Sequence, residues 1–119
     1  PLVAVKEITR TVEKAQETGA ACLVGLVTDT IKEVSGGKIV RTIDRQRLRR
    51  ALTPQCFRYE ILKRSFAENE IGESVTDECF LVEKLGVEIS IVEGSAENIK
   101  ITTPKDILFL ENFLKQSQT

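Results

Sequence analysis

Lys100 stands between Ile99 and Ile101, three residues before the run Thr103-Pro104-Lys105-Asp106. If residues 98–102 form a strand, alternation turns this lysine to the face opposite the two isoleucines. Held on a strand end beside a helix N-terminus, an ammonium group can grip a phosphate. An ordinary solvated lysine explains the same pattern. Other anion-binding side chains are Lys32 and Arg45, joined by hydroxyls at turn or strand ends, Thr30, Thr53 and Thr76. Residues 41–50 hold Arg41, Arg45, Arg47, Arg49 and Arg50. They are either a solvated basic edge or an anion site, because guanidinium groups bind phosphate through a planar fork. No aromatic residues interleave with them, which disfavours stacking on nucleic acid. Together these groups point to a phosphorylated small ligand and leave the reaction open.

Several chemistries are excluded. The chain has no His, so a Ser-His or Cys-His nucleophile is impossible within it. Cys22, Cys56 and Cys79 lie far apart without zinc-site spacing, each in an apolar setting, and are read as reduced structural thiols. Gly36-Gly37 reads as a hairpin turn and not as a phosphate cradle. The net charge is −1 and the isoelectric point 5.6, so no basic field recruits nucleic acid or an anionic membrane. No apolar run approaches the ~18 residues of a spanning helix, and no signal-peptide layout opens the chain. A soluble, intracellular protein is expected.

The elements that must position these groups can be read in order. Apolar positions Val3, Val5, Ile8, Val12 and Ala15 predict an amphipathic helix over residues 3–18, stopped by Gly19. The apolar run 20–28 predicts a strand buried on both faces, as in a parallel sheet. Residues 31–44 predict a hairpin turning at Gly36-Gly37, much of it facing water. Pro54 biases Thr53 toward an extended backbone. A helix over 58–68 carries Ile61, Leu62, Ser65 and Phe66 on one face, and a polar loop follows over 69–74. Thr76 is the expected N-cap of the next helix, with Asp77 and Glu78 beside its positive end, and capping alone explains that triplet. Gly86 ends this helix. Strands are expected over 87–92 and 98–102. Thr103-Pro104-Lys105-Asp106 has the layout of a capping box with proline at the first helical position. The final helix should bury Ile107, Leu108, Leu110, Phe113 and Leu114. This is an α/β layout of 119 residues, at most one domain and short of core strands. The start at Pro1 and the lack of Met suggest a piece of a longer protein.

At this point the residues carry a resemblance. The chain is similar to the C-terminal portion of the 2-C-methyl-D-erythritol 4-phosphate cytidylyltransferase family. Pro1-Leu2-Val3 resembles the stretch after that family's Asp-Ala-Ala-Arg motif. Val27-Thr28-Asp29-Thr30-Ile31-Lys32, Asp44-Arg45 with Leu48, Thr53-Pro54-Gln55 with Phe57, Thr76-Asp77-Glu78 with Val82-Glu83, and Val92-Glu93-Gly94 follow in the family's order. Asn98-Ile99-Lys100-Ile101-Thr102-Thr103-Pro104-Lys105-Asp106 matches its C-terminal signature. Each motif is weak alone; their order and spacing over nearly the whole chain are specific.

The resemblance implies the C-terminal part of a Rossmann-like nucleotidyltransferase domain with a protruding β-hairpin arm at about residues 29–45. It implies transfer of a cytidylyl group from CTP to methylerythritol phosphate, with release of pyrophosphate, in non-mevalonate isoprenoid synthesis. Lys100 matches the lysine near the reacting phosphates. Thr30, Arg45, Thr53 and Thr76 match positions lining the sugar phosphate site. The arm would exchange between the subunits of a homodimer, so that Thr30 and Arg45 serve the neighbour's site. Mg²⁺ would be held by ligands outside this chain. The glycine-rich nucleotide loop would lie before Pro1, which makes the 119 residues alone inactive. The setting would be cytoplasmic, or a plastid for a plant-type source, without nucleic acid or membrane. Arg49 departs from the aromatic residue common in the family. Two other readings remain: a ribitol 5-phosphate cytidylyltransferase, which shares Thr-Pro-Gln and Ile-Lys-Ile-Thr-Thr, and a non-catalytic dimerisation or ligand-binding domain.

Overall fold

The structure is a computed structural model that describes residues 2–68 and 77–117. The first helix, α1, covers Val5–Thr18 and stops at Gly19, whose φ of 100° lets its N–H reach the Ala15 carbonyl at 2.7 Å. The face it buries is not the expected apolar one. Glu7, Thr11 and Ala15, spaced four apart, lie against the sheet, whereas Val5, Ile8 and Val12 are exposed. Thr11 can be buried because its hydroxyl donates to the Glu7 carbonyl at 2.7 Å.

Strand β1 (Ala20–Leu26) is the buried centre of a three-stranded sheet, as its apolar run requires. The sheet order is β4-β1-β5, with β4 spanning Arg49–Phe57 and β5 spanning Ser90–Glu93. The sheet is mixed, which corrects the parallel expectation: β1 runs parallel to β5 and antiparallel to β4. The expected strand over 87–92 is thus shorter and shifted toward Glu93. Strand β4 is not among the expected strands, because its arginines read as a solvated basic edge or an anion site. It forms because β1 offers a free edge. The ladder slips between Cys22 and Val24, where the partners jump from Gln55 to Ala51, so Pro54 falls in the stretch that needs no N–H.

The hairpin, β2 (Ile31–Ser35) and β3 (Lys38–Ile43), forms a separate two-stranded sheet. Gly36 and Gly37 have φ of 57° and 75°, the positive values a tight two-residue turn demands. Almost all of it is exposed, and its ion pair Arg41–Glu33 at 2.9 Å is a surface contact of small worth. The Cα radius of gyration is 16.7 Å, against about 13.5 Å for a compact chain of this length. A projecting arm accounts for part of that excess.

Two further helices lie between β4 and β5, α2 (Tyr59–Glu68) and α3 (Glu78–Glu83). The N-cap of α3 is Asp77, whose carboxylate accepts from the Phe80 N–H at 2.9 Å. The expected cap, Thr76, and the loop over 69–74 lie outside the described residues. The last helix, α4 (Pro104–Ser117), begins where expected. Its apolar stripe is not buried: Ile107, Leu108, Phe109 and Leu114 are exposed, and Leu110 and Phe113 are half-covered. The core is aliphatic: Ala20 to Val24, Leu52, Leu81 and Val82, with Cys22 and Cys79 packed together. Cys56 is only half-buried, so the expectation of buried thiols holds for two of the three.

Candidate functional site

Residues 98–102 form no strand. Among the described residues no strand pairs with them, and a strand needs that partner. Lys100 therefore sits on an irregular connection between β5 and α4, held at both ends by side chains. Upstream, the buried Asn98 donates from Nδ2 to the Thr53 carbonyl at 3.1 Å, tying the segment to β4. Downstream, one oxygen of Asp106 accepts from the backbone N–H groups of Thr102 and Thr103 at 3.0 and 2.9 Å, and from both hydroxyls at 3.1 Å. The bond from the Thr103 N–H to Asp106 is the half of the capping box expected of Asp106, while the Thr103 hydroxyl donates to the same carboxylate. Those bonds hold the Asp106 carboxyl below its ordinary pKa. Before Asn98, Ser95 bonds the Glu97 carboxylate and accepts from the Glu97 N–H at 3.2 Å, and the first of these bonds lowers the Glu97 pKa.

Thr53 and Lys100 line one cleft of about 330 Å³, with Ala51, Leu52, Asn98, Ile99 and Ile101. Lys100 is exposed, and among the described residues it has no ion-pair partner. A cation without a counter-charge beside a hydroxyl is suited to an anionic ligand.

Arg45 lies elsewhere. It opens a short 3₁₀ turn (Arg45–Arg47) that Asp44 caps by accepting from the Gln46 N–H. Its guanidinium folds back to donate to the Thr28 carbonyl at 2.6 Å. It lines a second cleft, about 440 Å³, with Leu26, Val27, Thr28, Gln46 and Arg49. Thr30 is exposed at the foot of the arm and lines neither cleft. Lys32, on the arm, donates to Thr42 at 2.7 Å. Within one chain, then, Lys100 and Thr53 come together, Arg45 and Thr30 do not join them, and Thr76 lies outside the described residues.

A third cleft of about 340 Å³ lies beside β4, lined in part by Cys22, Arg49, Asp77 and Cys79. Arg49 and Ala51 place β4 along all three clefts. Arg49 is anchored by polar bonds. Its Nε pairs with Glu93 at 2.9 Å, and its Nη1 donates to the carbonyls of Gln46 and Leu48. Gln55 belongs to the Thr53-Pro54-Gln55 match, but the sequence gives it no role. Its amide donates to Asp77 Oδ2 at 3.2 Å and to the Leu52 carbonyl at 3.4 Å, and its oxygen accepts from the Cys79 N–H at 3.3 Å. It clasps β4 to the start of α3. The available signal was a glutamine within an apolar stretch, which must find partners once covered. The hydrogen bond between Cys79 and Cys22, burial and the nearby carboxylates hold the Cys79 thiol well above its ordinary pKa, so it is no activated nucleophile.

Among the described residues no three carboxylate, thiol or imidazole groups converge as metal ligands. The described residues alone thus offer no ready set of Mg²⁺ ligands. No helix is long and apolar enough to cross a membrane.

The mixed sheet flanked by helices, with a projecting hairpin, fits the Rossmann-like nucleotidyltransferases, whose solved structures it overlays. One from Thermus thermophilus, a 2-C-methyl-D-erythritol 4-phosphate cytidylyltransferase, matches with a TM-score of 0.82 and 32% identity, over 97% of this chain and 57% of that one. The family model for 2-C-methyl-D-erythritol 4-phosphate cytidylyltransferase matches residues 1–116, and the chain belongs to that family. Relatives bearing that name include one from Bacillus velezensis, 46% identical over 97% of this chain, and one from Desulforamulus reducens, 42% identical over 98%. The chain spans about half the length of these relatives, 50% of each. That share sets the extent of the match and leaves the expected C-terminal placement a proposal.

Proposed function

We propose that this chain is the half of a CTP:methylerythritol phosphate cytidylyltransferase that receives the sugar phosphate. The observation that carries the reading is the cleft shared by Thr53 and Lys100, in a chain of this family. In the reaction a phosphate oxygen of methylerythritol 4-phosphate attacks the α-phosphorus of CTP. The α–β bridging bond breaks and pyrophosphate leaves. The nucleophile belongs to the substrate, so the protein needs no activated Ser or Cys. Its task is to bring two anions together and offset the charge that builds up between them. Lys100 is placed to do this, and the Thr53 hydroxyl to orient the sugar phosphate. Thr76 is proposed for the same sugar phosphate site.

Arg45 and Thr30 take part through a partner subunit. They lie at the foot of the arm and apart from the Lys100 cleft, which favours an arm exchanged in a homodimer. The nucleotide loop and any Mg²⁺ ligands belong to the other half of the protein. The expected position of that half is before Pro1, and a phosphate loop encoded after Thr119 instead would overturn it. A cytoplasmic setting is part of the proposal, supported by three free cysteines.

The test is pyrophosphate release in the complete enzyme. Lys100→Ala should lower kcat about 10²- to 10³-fold, the usual effect of removing one charge-stabilising donor. Undiminished turnover would refute the role of Lys100. Ribitol 5-phosphate in a parallel assay should be the poorer substrate, and the 119 residues alone should release no pyrophosphate.

A further inference from the structure

Lys100 is held by neither a strand ladder nor an ion pair, so something else must set its position. Among the described residues, the recorded hydrogen bond from 97–101 to β4 is the one from Asn98 Nδ2 to the Thr53 carbonyl, at 3.1 Å. Asn98 is 4% exposed, a buried amide two residues from an exposed lysine. Its acceptor belongs to Thr53, the residue across the cleft from Lys100, and Asn98 itself lines that cleft. One bond therefore ties the Thr53 backbone to the segment two residues before Lys100. The Asp106 cap fixes only the far end of the segment, at Thr102 and Thr103. Without the Asn98 side-chain bond, the described hydrogen bonds of residues 97–101 would be those of the Ser95 turn, from the Asn98 N–H to the Ser95 carbonyl at 3.3 Å and from the Glu97 N–H to the Ser95 hydroxyl at 3.2 Å, and none would reach β4.

We propose that Asn98 is a positioning residue: it sets the distance between Lys100 and Thr53, and hence between the cation and the bound sugar phosphate. The proposal rests on the reading of Lys100 given above. A buried amide that serves stability alone would lower the amount of folded enzyme and act independently of Lys100. A positioning residue acts through Lys100. Its loss lowers kcat in the folded enzyme and costs nothing further once the lysine is gone.

The experiment is a double-mutant cycle in the complete enzyme, with kcat and KM for both substrates measured on protein shown to be folded by circular dichroism. Asn98→Ser is too short to reach the Thr53 carbonyl. It should lower kcat about 10- to 100-fold, the scale of a misplacement of order 1 Å, with KM for CTP unchanged. The double variant Asn98→Ser/Lys100→Ala should be no slower than Lys100→Ala alone. If the two losses multiply, Asn98 acts independently of Lys100 and the proposal is overturned. If Asn98→Ser does not fold, Asn98→Asp keeps the shape, removes the donor and enters the same cycle. A Lys100→Ala enzyme with full turnover would refute the underlying reading, whereas an inactive Lys100→Ala beside an unimpaired Asn98→Ser would refute this inference alone.

Discussion

Gly94 joins β5 to the segment that carries Lys100, and a single methyl group there should be felt. A Cβ built on it would lie 3.0 Å from both Cδ1 and Cγ of Leu23 and 3.1 Å from Glu7 Oε2. Neither neighbour can easily give way. Leu23 is fully buried on the central strand, and Glu7 is buried on the sheet-facing side of α1. The backbone cannot easily retreat either, since the Gly94 N–H donates to the Val24 carbonyl at 2.7 Å. Overpacking of this kind costs about 1–3 kcal/mol. At roughly 4 °C per kcal/mol for a chain of this size, Gly94→Ala should lower Tm by about 4–12 °C. Thermal and urea unfolding of the 119-residue chain, followed by circular dichroism, measure this. Leu23→Val makes room for the methyl group, so the double variant should be more stable than the sum of the two single changes implies, by at least about 0.5 kcal/mol. An unchanged Tm for Gly94→Ala, or strict additivity with Leu23→Val, would refute the steric argument.

The thiols should differ in reactivity: iodoacetamide at pH 8 should label Cys56 first, with Cys22 and Cys79 protected until unfolding, as read by mass spectrometry. The bond that raises the Cys79 pKa lowers that of Cys22, so the sign is read for Cys79 by difference: its own contribution to stability is present below the unfolded thiol pKa and is lost as pH rises above about 9, and urea midpoints of Cys79→Ala and the unchanged chain across pH 7 to 10 should converge as pH rises. Asp106 is the opposite case. Its folded pKa is lowered, so its contribution is present above the unfolded value and is lost as pH falls below about 4. Asp106→Asn should abolish that acid limb and loosen the start of α4, seen as faster amide exchange at Thr102 and Thr103.

Much of the fold was legible because local rules carry it. Gly19, the Gly36-Gly37 pair and the capping run before α4 each mark a backbone event that needs no distant partner. The central strand was legible from its unbroken apolar run. The misreadings share one cause. Strand β4 reads as a basic edge or an anion site until β1 pairs with it, and 98–102 reads as a strand although no described strand pairs with it. Strand identity is a property of pairs, and hydrogen bonds to a neighbour are absent from a one-dimensional pattern. The faces of α1 and α4 failed for a related reason. Periodicity shows that an apolar stripe exists and not what covers it, and here Ala15 alone of the stripe positions on α1 is buried, with Glu7 and Thr11 beside it.

The candidate site divides in the same way. Lys100, Thr53, Arg45 and Thr30 were named from residue type, local setting and motif order, since the choice of a cation or a hydroxyl is written in the chain. The sequence also excluded a His-dependent nucleophile, because a residue type that is missing cannot be restored by folding. Only the tertiary structure decided that Thr53 and Lys100 face one cleft while Arg45 turns to Thr28. Only it revealed Asn98 and Gln55 as the amides that clasp the segments together. Their partners lie 45 residues away for Asn98 and 22 and 24 for Gln55. Contacts over such separations are set by chain packing, which no local pattern of side chains encodes.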